Sequence, residues 1–162
     1  MNQAVLANKI ETVKKISEKA KKSQAILVCE YHGLSVAKLE EIRRVLRKEN
    51  AEICVYKNSL VKRAFEKLDY AGAETILYGP NAFVFSEDVI TAPKIIAKYA
   101  RRYKKSLVIK GGVVEGVFAD ADTMKEVARL PGRDGLISMF LSCLQAPIRN
   151  FAYAVKAVAE QD

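Results

Sequence analysis

The stretch "VYKNSLVKRAFE", Val55–Glu66, sets an apolar, strand-like segment against a helix whose first two turns carry Lys57, Asn58, Lys62 and Arg63. Side chains of these types hold anions rather than make or break bonds. Asn58 is placed to be an N-cap, and a helix N-terminus presents backbone N–H groups that find no partner within the helix. Lys57 just before it, with Lys62 and Arg63 one turn inside, would add full positive charges to those donors, so the corner can hold a phosphate. The plainer reading is a capped helix with solvated cations, and spacing alone leaves the two open.

The other chemistry-bearing residues form no catalytic group. His32 is the only histidine, so any Ser-His-Asp or Cys-His arrangement would depend on it, and no nucleophile stands near it in the sequence. It reads as a turn residue with its ring turned to a nucleic acid. Cys29, Cys54 and Cys143 lie far apart with no C-x-x-C pair, which excludes a zinc grip or dithiol exchange and leaves them as small buried hydrophobes. "KGGVVEG", Lys110–Gly116, lacks the G-x-x-x-x-G-K-[ST] pattern, and its glycines run into strand-like residues instead of opening a helix. A bend or a close backbone approach within a sheet is the expectation there, although the glycine pair keeps a nucleotide-dependent α/β enzyme as the alternative class. Glu40 and Glu41 are neighbours on a helix, so their side chains diverge and read as a solvated pair. No metal site, cofactor or small-molecule substrate is expected.

Charge sharpens the picture. Of the 162 residues, positions 1–111 carry 22 Lys and Arg against 12 Asp and Glu, and positions 112–162 carry 5 against 7, which together give the net +8. A basic body with a slightly acidic tail points to two different partners, the first of them a polyanion, nucleic acid before all others. Between Lys94 and Lys110 stand seven basic residues and no acidic one: Lys94, Lys98, Arg101, Arg102, Lys104, Lys105 and Lys110. Tyr99 and Tyr103 interleave with them at helical spacing and belong to the core rather than to a base-stacking surface. The longest apolar run, Leu136–Ala146, falls short of the ~20 residues that cross a bilayer, and the first residues lack a secretory pattern. A cytoplasmic location is therefore expected.

The elements that must position the corner follow from apolar periodicity. Leu6, Ile10, Val13, Ile16 and Ala20 recur at helical spacing opposite a lysine-rich face. "AILVCEY" is a nearly unbroken apolar run, the pattern of a strand covered on both faces. Ser35 can cap a helix with Leu39, Ile42 and Leu46 inside; "AEICVY" alternates as a half-covered strand; Val61, Ala64, Phe65 and Leu68 line the helix after the corner. Past a turn at Gly79 and Pro80 come the strand "NAFVFS", a helix over about Thr91–Tyr103 and the strand "SLVIKGGVVEG". The class is α/β, a mixed sheet flanked by helices, followed by a C-terminal helical arm. "LPGRDG", Leu130–Gly135, marks the boundary, with a body of residues 1–130 and an arm of residues 131–162.

In the arm, an apolar helix to Gln145 is expected to stop at Pro147, before a last segment in which Ile148, Phe151, Ala152, Val155, Val158 and Ala159 make one apolar stripe. A lone helix of about 17 residues is marginal in water. It either folds back on the body or lays its stripe into a partner protein, and its near lack of charge favours the partner. Only Arg149 and Lys156 are basic there, which speaks against a membrane surface.

In order along the chain, "YHGLSVAKLEEIRRVLR", "VYKNSLVKRA", "LYGPNAFVFSED", "VIKGGVVEG", "ARLP" and "LQAPIRNFAYAVKAVAE" resemble successive segments of the bacterial large-subunit ribosomal stalk-base proteins, the tenth protein of that subunit. The resemblance spans nearly the whole chain. It implies an α/β domain that binds large-subunit ribosomal RNA beside the eleventh large-subunit protein. It also implies a C-terminal helix that collects dimers of the acidic stalk protein, two at most on so short a tail, whose mobile domains recruit translational GTPases. Repression of its own operon through the messenger leader is implied as well. "KNSL" matches the family's Lys-Asn-Thr-Leu, so Lys57 and Asn58 inherit an RNA-facing role with Lys62 and Arg63 in support, and the expected RNA face extends to Tyr31, His32, Arg43 and Lys110. His32 stands where the family more usually has arginine, which weakens any phosphate contact at that position.

Overall fold

The apolar run at residues 25–30 becomes the centre of a five-stranded sheet. The computed structural model describes residues 3–160 apart from Asp69, Ala71, Lys104 and Lys105, so two of the cations in the expected basic block lie outside the described residues. In chain order the elements are α1 (Gln3–Lys22), β1 (Ala25–Glu30), α2 (Val36–Lys48), β2 (Ala51–Cys54), α3 (Asn58–Glu66), a 3-10 turn (Ala73–Ile76) and β3 (Asn81–Ser86). Then follow α4 (Thr91–Arg102), β4 (Val108–Val114), β5 (Val117–Asp120), α5 (Ala121–Val127) and α6 (Arg133–Ala159). The chain divides into two units, Met1–Arg129 and Leu130–Asp162.

The strand order is β2-β3-β1-β4-β5, and each pairing is antiparallel. The α/β class holds, but the sheet is not mixed in direction. β1 and β2, joined through α2, do run the same way; β3 inserts antiparallel between them, and β1 likewise separates β3 from β4. Both strand-helix-strand units whose strands run the same way, β1-α2-β2 and β3-α4-β4, are thus split by a strand from elsewhere in the chain. β2 and β3, joined through α3, pair directly and antiparallel, which leaves no parallel neighbours.

Two apolar clusters fill the two faces of the sheet. Leu27 and Cys29 face α2, α4 and α5 through Ile42, Leu46, Ile96 and Met124; Ile26 and Val28 face α1 and α3 through Val13, Ile16, Val61 and Phe65. Burial on both sides is why β1 reads as an unbroken apolar run. Leu6 and Ile10, the first part of the expected α1 stripe, remain exposed. Cys29 is buried and its thiol is pushed up to about 12 by desolvation, so it is a core residue and inert. The same reading fails for Cys143, which is exposed, and for Cys54, which is half-buried.

The glycine pair serves this packing. A Cβ on Gly112 would lie 2.1 Å from the Ile26 carbonyl oxygen and 2.5 Å from the Met124 side chain, so β1 and β4 approach too closely for any other residue. The register shifts just beyond the glycine pair, between Val28 and Cys29, where Lys110 is the extra residue on β4. The space a phosphate loop would need is already occupied. Glu41 also departs from the solvated pair expected of it. Its carboxylate accepts hydrogen bonds from the Tyr99 and Tyr103 hydroxyls and pairs with Arg102 at 3.2 Å, tying α2 to α4. Ser35 does take the N-cap position of α2, without a capping hydrogen bond from its side chain.

Candidate nucleic-acid interface and apolar helix face

The loop of residues 77–80 is the hub of the corner. The Asn58 side-chain amide donates to the Gly79 carbonyl at 2.9 Å, the Tyr31 backbone N–H donates to the Pro80 carbonyl at 3.4 Å, and the Lys110 ammonium donates to the Tyr78 carbonyl at 2.6 Å. The start of α3, the chain leaving β1 and the middle of β4 therefore meet on four residues. Gly79 turns the loop with φ +74, a value that glycine adopts without strain.

Asn58 is one place further into the helix than its sequence context implies. Lys57 occupies the N-cap position in extended conformation, its carbonyl accepting from Leu60 and Val61, and no side chain caps the helix. Asn58 is free to cross-link instead. Its side-chain oxygen accepts from the Asn81 amide at 3.4 Å, and Asn81 also donates to the Ile76 carbonyl at 3.4 Å. Since Asn58 gives its nitrogen to Gly79, both amide orientations are determined by the network. Asn81 is 2% exposed and its side-chain oxygen is left without a donor.

The cations divide into engaged and free. Lys110 pairs with Glu30 at 2.9 Å with its side chain 8% exposed, so its charge is largely used inside the corner. Lys62 pairs with Glu74 at 2.7 Å, and this hydrogen bond holds its ammonium above the ordinary lysine range. Arg43 pairs with Glu40; it sits on α2, across the sheet from α3, and so is not brought to the corner. Lys57, Arg63 and His32 are exposed, and among the described residues no carboxylate pairs with Lys57 or Arg63. Tyr31 is half-buried beside the loop. Three participants, Tyr78, Asn81 and the Gly79 carbonyl, escape a reading of the sequence because their roles come from contacts more than 20 positions distant. The one local signal is the Tyr-Gly-Pro-Asn turn.

The second unit holds a different kind of surface. Pro147 does not end a helix: α6 runs unbroken from Arg133 to Ala159 with the proline inside it, over about 40 Å at 1.5 Å per residue. Proline has no N–H to give the Cys143 carbonyl. The Arg149 guanidinium spans the defect by donating to the Ser142 hydroxyl at 3.1 Å. Ile148, Phe151, Val155 and Val158 are exposed, Phe151 by 72%, as are Ala152 and Ala159. Because the helix is continuous, the stripe extends back through Leu144, Leu141 and Ile137, also exposed. The steps alternate four and three residues, the heptad spacing found at helix–helix seams.

Among the described residues no cluster of His, Cys, Asp or Glu could hold a metal ion, and no helix is long and apolar enough to cross a membrane. The family model described as "Ribosomal protein L10" matches residues 4–101, and that described as "Ribosomal protein uL10 C-terminal region" matches residues 130–162. Curated proteins called large ribosomal subunit protein uL10 are similar over nearly the full length. That of Bacillus licheniformis is 44% identical over 162 residues, 99% of this chain and 96% of its own. That of Macrococcus caseolyticus is 48% identical over 147 residues, 90% of this chain and 85% of its own. That of Staphylococcus haemolyticus is 46% identical over 159 residues, 98% and 95%.

Proposed function

Since the chain belongs to the uL10 family of structural, non-enzymatic proteins of the large ribosomal subunit, we propose that it is the adaptor at the base of the ribosomal stalk. The first unit grips large-subunit ribosomal RNA at the α3 corner, beside the eleventh large-subunit protein. α6 seats dimers of the acidic stalk protein, two on the stretch after Pro147, and these recruit translational GTPases in the cytoplasm. The same corner, bound to a matching fold in its own messenger leader, would repress further synthesis.

The observation that carries this reading is exposed chemistry of two incompatible kinds. Lys57 stands at an uncapped helix start with no carboxylate partner among the described residues, which suits phosphate. Phe151 and its stripe stand in solvent, which suits an apolar partner face. Tyr31, Asn58 and Lys110 shape the corner in this account, while Lys57, Arg63 and His32 face the RNA and Lys62 joins them by exchanging Glu74 for phosphate. Arg43 would reach RNA only at a separate point.

The test is RNA affinity as a function of salt. Lys57→Ala is expected to weaken binding of the full chain to large-subunit RNA and to flatten the slope of log affinity against log salt by up to about one. Unchanged affinity and slope would remove Lys57 from the interface.

A further inference from the structure

We propose that Tyr78 is a stacking platform for an unpaired base of the bound RNA; the inference rests on the RNA reading of the corner and adds the kind of RNA it selects. Among the described residues of the first unit, Tyr78 is the only Phe or Tyr left exposed, at 67%. The other aromatic rings there are buried or half-buried, as an apolar ring in water would lead one to expect. Tyr78 instead projects from the loop that the corner is built around.

The ring is also held. The Lys110 ammonium lies 4.1 Å from its centroid while donating to the Tyr78 carbonyl at 2.6 Å and pairing with Glu30 at 2.9 Å. One face of the ring is thus taken by a cation that is itself anchored in the fold. With the residue two-thirds exposed, the opposite face is left to solvent. The loop beneath it is fastened by Asn58 at Gly79 and by Tyr31 at Pro80. An exposed side chain ordered before any ligand arrives loses little further freedom on binding.

The chemistry that matches a flat, open π-face backed by a cation is a nucleobase whose own face is available. Paired RNA helices present phosphates, sugars and base edges; loops and bulges present base faces that stack on aromatic side chains. Lys57, next to the Asn58 that holds this loop, supplies the accompanying phosphate contact. Stacking tolerates any base, so the platform selects for an unpaired nucleotide at one place rather than for its sequence.

The experiment titrates the full-length chain with protein-free large-subunit ribosomal RNA from its own cells at several salt concentrations, comparing Tyr78→Ala, Tyr78→Leu, Tyr78→Phe and Lys57→Ala. Loss of one stacked base lowers affinity roughly 5- to 100-fold. Tyr78→Ala and Tyr78→Leu are expected to show that loss at each salt concentration with an unchanged salt slope, because the slope counts phosphate contacts. Tyr78→Phe is expected to bind as the parent chain does. The leucine variant keeps bulk over Lys110, so its matching loss separates stacking from packing. If Tyr78→Ala binds normally while Lys57→Ala is weakened, the platform is refuted and the RNA site stands. If Tyr78→Ala alters the slope, or Tyr78→Leu binds normally, Tyr78 acts only by holding Lys110, and the platform is again refuted. A parent chain that does not bind the RNA refutes the reading beneath it.

Discussion

The loop at residues 77–80 and the helix α6 solve opposite problems. The loop lacks regular structure, yet three elements hold it through Asn58, Tyr31 and Lys110. α6 is regular over 27 residues, yet its apolar stripe is exposed along its length. Order in the first comes from tertiary hydrogen bonds; order in the second is backbone geometry without apolar burial. A site prepared in this way suits a rigid, charged partner such as folded RNA, whereas an uncovered stripe suits a partner that supplies the missing side of a small core.

The contrast is broken or upheld most strongly by deleting one phenylalanine from each unit. Phe83 is fully buried in β3 and Phe151 is 72% exposed. In urea denaturation of the full chain, Phe83→Ala is expected to cost about 3–5 kcal/mol, and Phe151→Ala less than about 0.5 kcal/mol. A large cost at Phe151 would make α6 a core element. Glycines sharpen the same comparison. Gly112→Ala forces a Cβ against the Ile26 carbonyl and is expected to cost about 1–3 kcal/mol or more. Gly132, the N-cap residue of α6 with nothing within 4 Å of its Cβ position, is expected to accept alanine for about 1 kcal/mol or less in the same assay, the cost being alanine's poorer fitness as an N-cap.

A further small effect concerns the ion pair between α1 and β2, Lys19–Glu52 at 2.6 Å. Its hydrogen bond lowers the Glu52 carboxyl below its ordinary value and raises the Lys19 ammonium above its own. The depressed acid contributes above about pH 4.3, its unfolded value, and that contribution is lost as pH falls through the lower folded value. The raised base contributes below about pH 10.4, and that part is lost as pH rises through the higher folded value. Both side chains are more than a third exposed, so Glu52→Gln is expected to cost under about 1 kcal/mol at neutral pH. The difference from the parent chain should vanish in denaturation curves taken at acid pH.

What is legible from sequence alone here is local. Ile42 and Leu46, Val61 and Phe65, and the doubly covered β1 announce themselves because burial imposes a period on neighbouring residues. Features decided by distant partners do not. The insertion of β3 between β1 and β2 leaves no local trace, so the strand-helix alternation reads as a mixed sheet. β5 and α5, four and seven residues long, are too short to show a period. Pro147 reads as a stop because proline disfavours a helix interior, whereas α6 continues through it. At the corner, Lys57 and Asn58 draw attention through type and spacing, but their division of labour does not. Asn58 becomes a cross-link because Gly79 and Asn81 lie opposite it, and Lys110 becomes internal because Glu30 and Tyr78 surround it.

The central claim, one surface for RNA and another for an acidic protein, is tested most directly by Phe151→Asp in the chain recovered from its own cells, with native mass spectrometry and RNA affinity measured on the same preparation. The account predicts that the parent chain carries acidic-protein copies in even numbers, up to four, and that the variant carries none while binding large-subunit RNA as tightly as before. Retention of the acidic protein by the variant, or loss of RNA binding together with it, would contradict the account.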